Sequence, residues 1–128
     1  MRFSTKAEYG LRSMVALARN YPEKKSVKEI SLEEKISVKY LERLMGEIRK
    51  RGLVESTKGK DGGYALTRAP KKIAVGELIE ILEGPIETKC ESSHCRNMKN
   101  CSSSLVWVKL ESQIRKTLYA IKLSDLIK

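Results

Sequence analysis

The order of elements turns on residues 37–67, SVKYLERLMGEIRKRGLVESTKGKDGGYALT. Ser37 is a favoured helix N-cap. After it Leu41, Leu44 and Ile48 recur at i, i+3 and i+7, the spacing that gathers apolar side chains on one helical face. The pattern stops at Gly52. Beyond it, Leu53-Val54-Glu55-Ser56 and Tyr64-Ala65-Leu66-Thr67 are short strand-like runs around a glycine-rich connection. A helix followed by a β-hairpin is therefore predicted. Gly59, Gly62 and Gly63 supply the positive φ values of a tight turn, so they are read as turn geometry rather than as a phosphate cradle.

Working toward the N-terminus, Ser37 is preceded by a short turn at Lys35-Ile36 and by a short helix carrying Val27 and Ile30, which Ser26 and Glu29 open as a capping box. Before Pro22, the segment from about Ser4 to Arg19 places Ala7, Leu11, Met14, Val15 and Ala18 at helical spacing. Toward the C-terminus, Val75 to Leu82 resumes helical spacing after Pro70 and ends at Gly84-Pro85. From about Ser103 a long helix sets Trp107, Leu110, Ile114, Leu118 and Ile121 three or four residues apart, close to a heptad seam. The chain is thus expected to be mainly α with a small β-hairpin: a winged helix-turn-helix domain plus a long C-terminal dimerisation helix. The expected division is 1–84 for the winged domain, 85–102 for a cysteine-bearing loop and 103–128 for the dimerisation helix and tail.

Charge agrees with that order. The 128 residues carry 26 Lys and Arg against 16 Asp and Glu, a net charge of +10, which favours a polyanionic partner. Much of the excess falls between Ser37 and Ile73: Lys39, Arg43, Arg49, Lys50, Arg51, Lys58, Lys60, Arg68, Lys71 and Lys72 oppose only Glu42, Glu47, Glu55 and Asp61. A third helix entering a major groove would offer its early residues, Ser37, Val38, Lys39, Tyr40, Glu42 and Arg43, to the DNA. Lys39 and Arg43 suit guanine or phosphate. Glu42, able only to accept hydrogen bonds when ionised, suits a cytosine amino group and is the specificity candidate. Lys58 and Lys60 at the hairpin tip would reach the backbone or an adjacent minor groove. An apolar seam longer than one domain can cover calls for a second copy, so a homodimer on pseudo-palindromic double-stranded promoter DNA is expected. The longest apolar run, Met14 to Ala18, is far too short to span a membrane, and a cytoplasmic protein is expected. With one histidine, no nucleophile–base spacing and no nucleotide-binding glycine loop, the sequence is not read as an enzyme.

Cys90, Cys95 and Cys101 lie in a polar loop with Lys89, Arg96 and Lys99 close by. An odd number of thiols argues against a disulfide framework, and thiolates beside cations suit zinc or an iron–sulfur cluster. Zinc needs a fourth ligand. His94 is adjacent to Cys95, so joint chelation of one ion would require a bend.

Several residues together resemble the IscR/NsrR/CymR-type family of bacterial winged-helix regulators. They are Met1-Arg2-Phe3-Ser4 with Lys6 and Tyr9-Gly10, then Tyr40-Leu41-Glu42. Gly52-Leu53-Val54, Ser56, Lys58-Gly59, Gly62-Gly63-Tyr64, Glu83-Gly84 and the three cysteines complete the set. The resemblance implies homodimers on promoter DNA, with the cysteine-bearing members sensing cluster supply, nitric oxide or redox state through an iron–sulfur cluster, 2Fe-2S ahead of 4Fe-4S. CymR-like members lack those cysteines. It also implies that Glu42 governs target choice and that Lys58 enters the minor groove. This chain departs from the pattern in two places. Four residues rather than five separate Cys90 from Cys95, and Ser104 stands where IscR-like members place a histidine ligand. Glu8 occupies the position of an acidic ligand on the first helix of NsrR-like members and is the first choice for the fourth ligand, with His94 second. The alternative is a zinc-stabilised or cofactor-free transcription factor of the same fold.

Overall fold

The computed structural model describes residues 3–59, 62–86 and 102–127. It contains α1 (Thr5–Asn20), α2 (Val27–Glu34), α3 (Val38–Lys50), β1 (Val54–Thr57), β2 (Gly63–Leu66), a 3-10 turn at Pro70–Lys72, α4 (Val75–Glu83), α5 (Ser104–Ala120) and a second 3-10 turn at Leu123–Leu126. The fold is mainly α-helical with one small antiparallel hairpin and a long C-terminal helix, as the sequence predicts.

Caps fix the helix starts. Ser4, Ser26 and Ser37 each accept a hydrogen bond from the backbone N–H three residues on, and Glu29 returns the bond to complete the capping box on α2. Between α2 and α3 the chain turns through Lys35, which takes the left-handed conformation (φ 56°), and Ile36, whose side chain is buried. The Ser31 hydroxyl donates to the Ile36 carbonyl at 2.5 Å and the Ile36 N–H to the Ser31 carbonyl at 3.2 Å. These bonds hold α3 at a fixed angle to α2.

In the main core cluster Leu41, Leu44, Met45 and Ile48 from α3 meet Met14 and Leu17 from α1, Ile30 from α2 and Leu78 from α4. β1 and β2 pair in the register Val54↔Leu66 to Thr57↔Gly63, and Val54 and Leu66 face this core. Two features go beyond the sequence reading. Lys25 and Tyr64 exchange backbone hydrogen bonds at 2.8 and 2.9 Å, so the segment before α2 adds a one-residue third strand to the hairpin. The tail after α5 also returns to the winged domain. Val75 N–H donates to the Ile121 carbonyl at 2.8 Å, Leu123 N–H donates to the Ile73 carbonyl at 3.0 Å, and Leu123 is fully buried.

The glycines separate by cause. Gly59 has φ 109°, as a tight turn requires. Gly63 does not: a Cβ there would lie 2.5 Å from the Lys25 carbonyl oxygen, so the close approach of the third strand is what demands glycine. Gly62 is likewise pressed against backbone, with the Thr57 carbonyl oxygen 2.3 Å from where its Cβ would stand.

The apolar stripe on α5 is divided. Its lower part is covered by its own domain, with Leu118 and Ile121 packed against Ala7, Val75 and Ile79. Ile121 lies just past the helix end. Its upper part is bare: Trp107 is 41% exposed and Leu110 40%, and Leu105, Val106 and Val108, on other faces of the helix, are also exposed.

Candidate nucleic-acid interface

α3 has two chemically distinct sides. Leu41, Leu44, Met45 and Ile48 are buried, whereas Lys39, Glu42, Arg43, Arg49 and Lys50 are exposed. Val38, the first helical residue, is exposed despite being apolar. Ser37 accepts from Tyr40 N–H at 3.2 Å, which fixes the first turn where these residues stand. Lys58 follows β1 directly and is exposed, and Arg49 Nη1 donates to Ser56 Oγ at 3.4 Å, joining the last turn of α3 to the hairpin. Helix and wing therefore form one continuous surface.

Ion pairing separates scaffold from surface. Lys6–Glu47, Arg12–Glu34, Lys25–Glu33, Arg68–Glu77 and Arg115–Glu80 are paired between elements or across turns. Lys39, Glu42, Arg43 and Lys58 take part in no ion pair among the described residues, nor do Lys28 on α2 and Lys35 in the turn, cations that the sequence reading did not single out. Exposed cations without an ion-pair partner among the described residues are free to meet phosphate.

Tyr40 is different from its neighbours. Its ring packs edge-on against Tyr9 of α1, centroids 5.8 Å apart at 85°, and is half buried. The Arg12 guanidinium lies 5.4 Å from the Tyr9 ring centroid and also reaches Glu34 at the end of α2, so this group clamps α1, α2 and α3 together. Lys6–Glu47 is a second α1–α3 link at 2.8 Å. Glu83 near the end of α4 accepts from Ser4 N–H at 2.8 Å and from the Ser4 hydroxyl.

Glu8 is exposed in the first turn of α1, beside Tyr9, and makes no ion pair among the described residues. Lys60, Asp61, Cys90, His94, Cys95 and Cys101 lie outside the described residues. Among the described residues no group of three or more His, Cys, Asp and Glu is arranged to hold a metal ion. No helix among them is long and apolar enough to cross a membrane.

A capped, cationic third helix braced by two others and flanked by a short hairpin defines a winged helix-turn-helix DNA-binding protein. Residues 3–128 match the family described as Rrf2, an iron-dependent transcriptional regulator, and the chain belongs to that family. It is 33% identical to protein rrf2 of Nitratidesulfovibrio vulgaris, over 100% of this chain and 88% of that protein. Among solved structures it is similar to CymR of B. subtilis, the global cysteine regulator, at 34% identity and a TM-score of 0.84, covering 99% of this chain and 96% of that one. It is also similar to T. potens IscR, at 35% identity and a TM-score of 0.81, covering 99% and 86%. The chain is accordingly a winged-helix transcriptional regulator, a non-catalytic class.

Proposed function

We propose that this regulator works as a cytoplasmic homodimer that reads pseudo-palindromic promoter DNA with Val38, Lys39, Glu42 and Arg43 in the major groove, and that cysteine-held iron–sulfur chemistry controls it. The observation that carries the DNA reading is the exposed face of α3, where two cations and one acid stand without ion partners on a helix held rigidly by its buried side. Lys39 and Arg43 bind guanine or phosphate, Glu42 accepts from a cytosine amino group, and Val38 packs against a thymine methyl. Ser37 and Tyr40 set the first turn, and Lys58 with Lys60 carries the wing to the backbone or minor groove. The apolar upper part of α5 supports dimerisation. A two-fold dimer places half-sites about one or two turns apart, roughly 34 Å per turn.

Cys90, Cys95, Cys101 and Glu8 would hold the cluster, with Glu8 supplied by the partner's first helix. The chemistry of the donor set supports this: three thiols with cations nearby, and an exposed carboxylate not engaged in an ion pair among the described residues. When bound, such a group supplies a centre sensitive to oxidants and nitric oxide. The chain's own contribution is the linkage from Glu8 through Tyr9 to Tyr40 and from Lys6 to Glu47. Through it, a shift of α1 is transmitted to α3 as altered DNA affinity.

The test is anaerobic purification with visible spectra and iron and sulfide analysis, followed by titration of duplexes selected from a random-sequence pool. A brown protein that selects a palindrome and binds it differently with and without iron supports the whole reading. A colourless zinc protein removes the sensor and keeps the regulator. With about six phosphates neutralised per half-site, affinity should fall by roughly a thousandfold or more from low to moderate salt. Salt-insensitive binding without sequence preference would end the DNA reading.

A further inference from the structure

We propose that Glu80, Arg115 and Tyr119 form a clasp that sets the angle of α5 against the DNA-binding domain, and thereby the half-site spacing that the dimer accepts. The three are positioning residues for recognition, and the inference rests on the dimer proposed above.

One carboxylate joins three parts of the chain. Glu80 on α4, mostly buried, accepts from the Tyr119 hydroxyl on Oε2 at 2.6 Å. Its Oε1 accepts from Arg115 Nη1 at 2.9 Å and from Ile86 N–H at 3.4 Å. Arg115 Nη2 donates to the Ile86 carbonyl at 2.8 Å and lies 3.6 Å from Oε1 of the buried Glu111, one turn earlier on α5. Arg115 and Tyr119 are one turn apart on a single face of α5, so two points on the helix are held against one rigid anchor, which fixes rotation as well as tilt.

The surrounding packing leaves little slack. Gly76 of α4 lies directly beneath the Tyr119 ring, where an added Cβ would stand 2.3 Å from a ring carbon. Apolar groups alone could hold these helices together, and an ion pair whose side chains are 46% and 25% exposed adds little to that hold. What the cluster contributes is a defined geometry.

Leverage converts that geometry into spacing. α5 is 17 residues long, about 25 Å, and is anchored near its C-terminal end while its exposed apolar residues lie toward the other. The far end lies about 20 Å from the clasp, so a tilt of about 10° moves it by roughly 3 Å, close to the rise of one base pair. In a two-fold dimer the error appears on both sides.

The experiment uses the full chain and duplexes that the wild-type protein selects from a random-sequence pool, rebuilt with centres one or two base pairs longer or shorter. Arg115→Ala and Tyr119→Phe are expected to sediment as dimers and to bind single half-site duplexes within about twofold of wild type. The wild-type preference for its selected spacing, about tenfold or more over a two-base-pair change, should fall to about threefold or less, and Arg115→Lys should restore part of it. Tyr119→Phe removes a single oxygen and decides the matter should Arg115→Ala fail to fold. Variants that keep the wild-type spacing preference overturn the clasp. So do variants whose half-site affinity falls as far as their full-site affinity. A wild-type chain that is monomeric or selects no duplex overturns the dimeric reading itself, a result distinct from either of these.

Discussion

On α3, Glu42 stands between Lys39 and Arg43 in sequence, all three exposed and outside any ion pair among the described residues. An acid on a cationic face repels phosphate, so it contributes only where a base edge offers a donor. Replacing it by Gln, which can donate as well as accept, should change the preference at one base position by about 1–3 kcal/mol and leave the salt slope unaltered. Lys58→Ala should instead weaken all duplexes evenly and lower the salt slope by about one. Titrations of a panel of duplexes at several salt concentrations separate the two outcomes. Tyr119 offers a test of its own bond. Its hydrogen bond to Glu80, with partial burial, pushes its phenol up from 10.0 to about 12. Because the folded value lies above the unfolded one, the contribution is complete below pH 10 and is lost as pH rises toward 12, where the unfolded chain releases this proton first. Denaturant midpoints of wild type and Tyr119→Phe should therefore converge across that window. Single residues were also where the sequence said least. Ser4, Lys6, Tyr9 and Gly10 are recognisable as a motif, but their reasons are partners far along the chain: Glu83, Glu47, Tyr40 and the Leu82 side chain that would stand 2.1 Å from a Cβ on Gly10.

Elements were more legible because their causes are local. Serine caps, the 3.6-residue spacing of Leu41, Leu44 and Ile48, and the glycine-bounded strands each sit within a few residues of what they determine, and the structure places helices and hairpin where those signals stand. The third strand was not legible, since one residue at Lys25 carries no periodicity. It nevertheless gives Gly63 its role, and Gly63→Ala should force the Lys25 strand away from β2. A loss of about 1–3 kcal/mol in denaturant unfolding is expected, where a glycine needed merely for turn flexibility would lose less. The tail behaves similarly. Leu123 looks like any apolar residue near a chain end, yet it is fully buried among the helices of the winged domain. Leu123→Ala should cost about 2–5 kcal/mol in the same measurement, whereas a tail that belonged to the dimer helix alone would lower self-association instead.

Across the whole molecule, the proposed dimer turns on the division of α5. Leu118 and Ile121 are spent on the domain's own core, whereas Leu105, Val106, Trp107, Val108 and Leu110 are exposed together at the other end. The seam was legible as a 3.5-residue repeat. Which part of it the domain would cover was not, because that depends on where the tail returns. Leu110→Asp tests the exposed part without disturbing the core, since the side chain is 40% exposed in the single chain. Sedimentation should show a monomer at concentrations where the wild type is paired, and its unfolding midpoint should match that of wild type diluted until it too is monomeric. Half-site affinity should be unchanged, because α3 and the wing are untouched. Full-site affinity should fall by about a hundredfold or more, because the second domain is no longer delivered at the high local concentration that a shared seam provides. A Leu110→Asp protein that still sediments as a dimer would place the contact between copies on another surface and remove α5 from control of operator spacing.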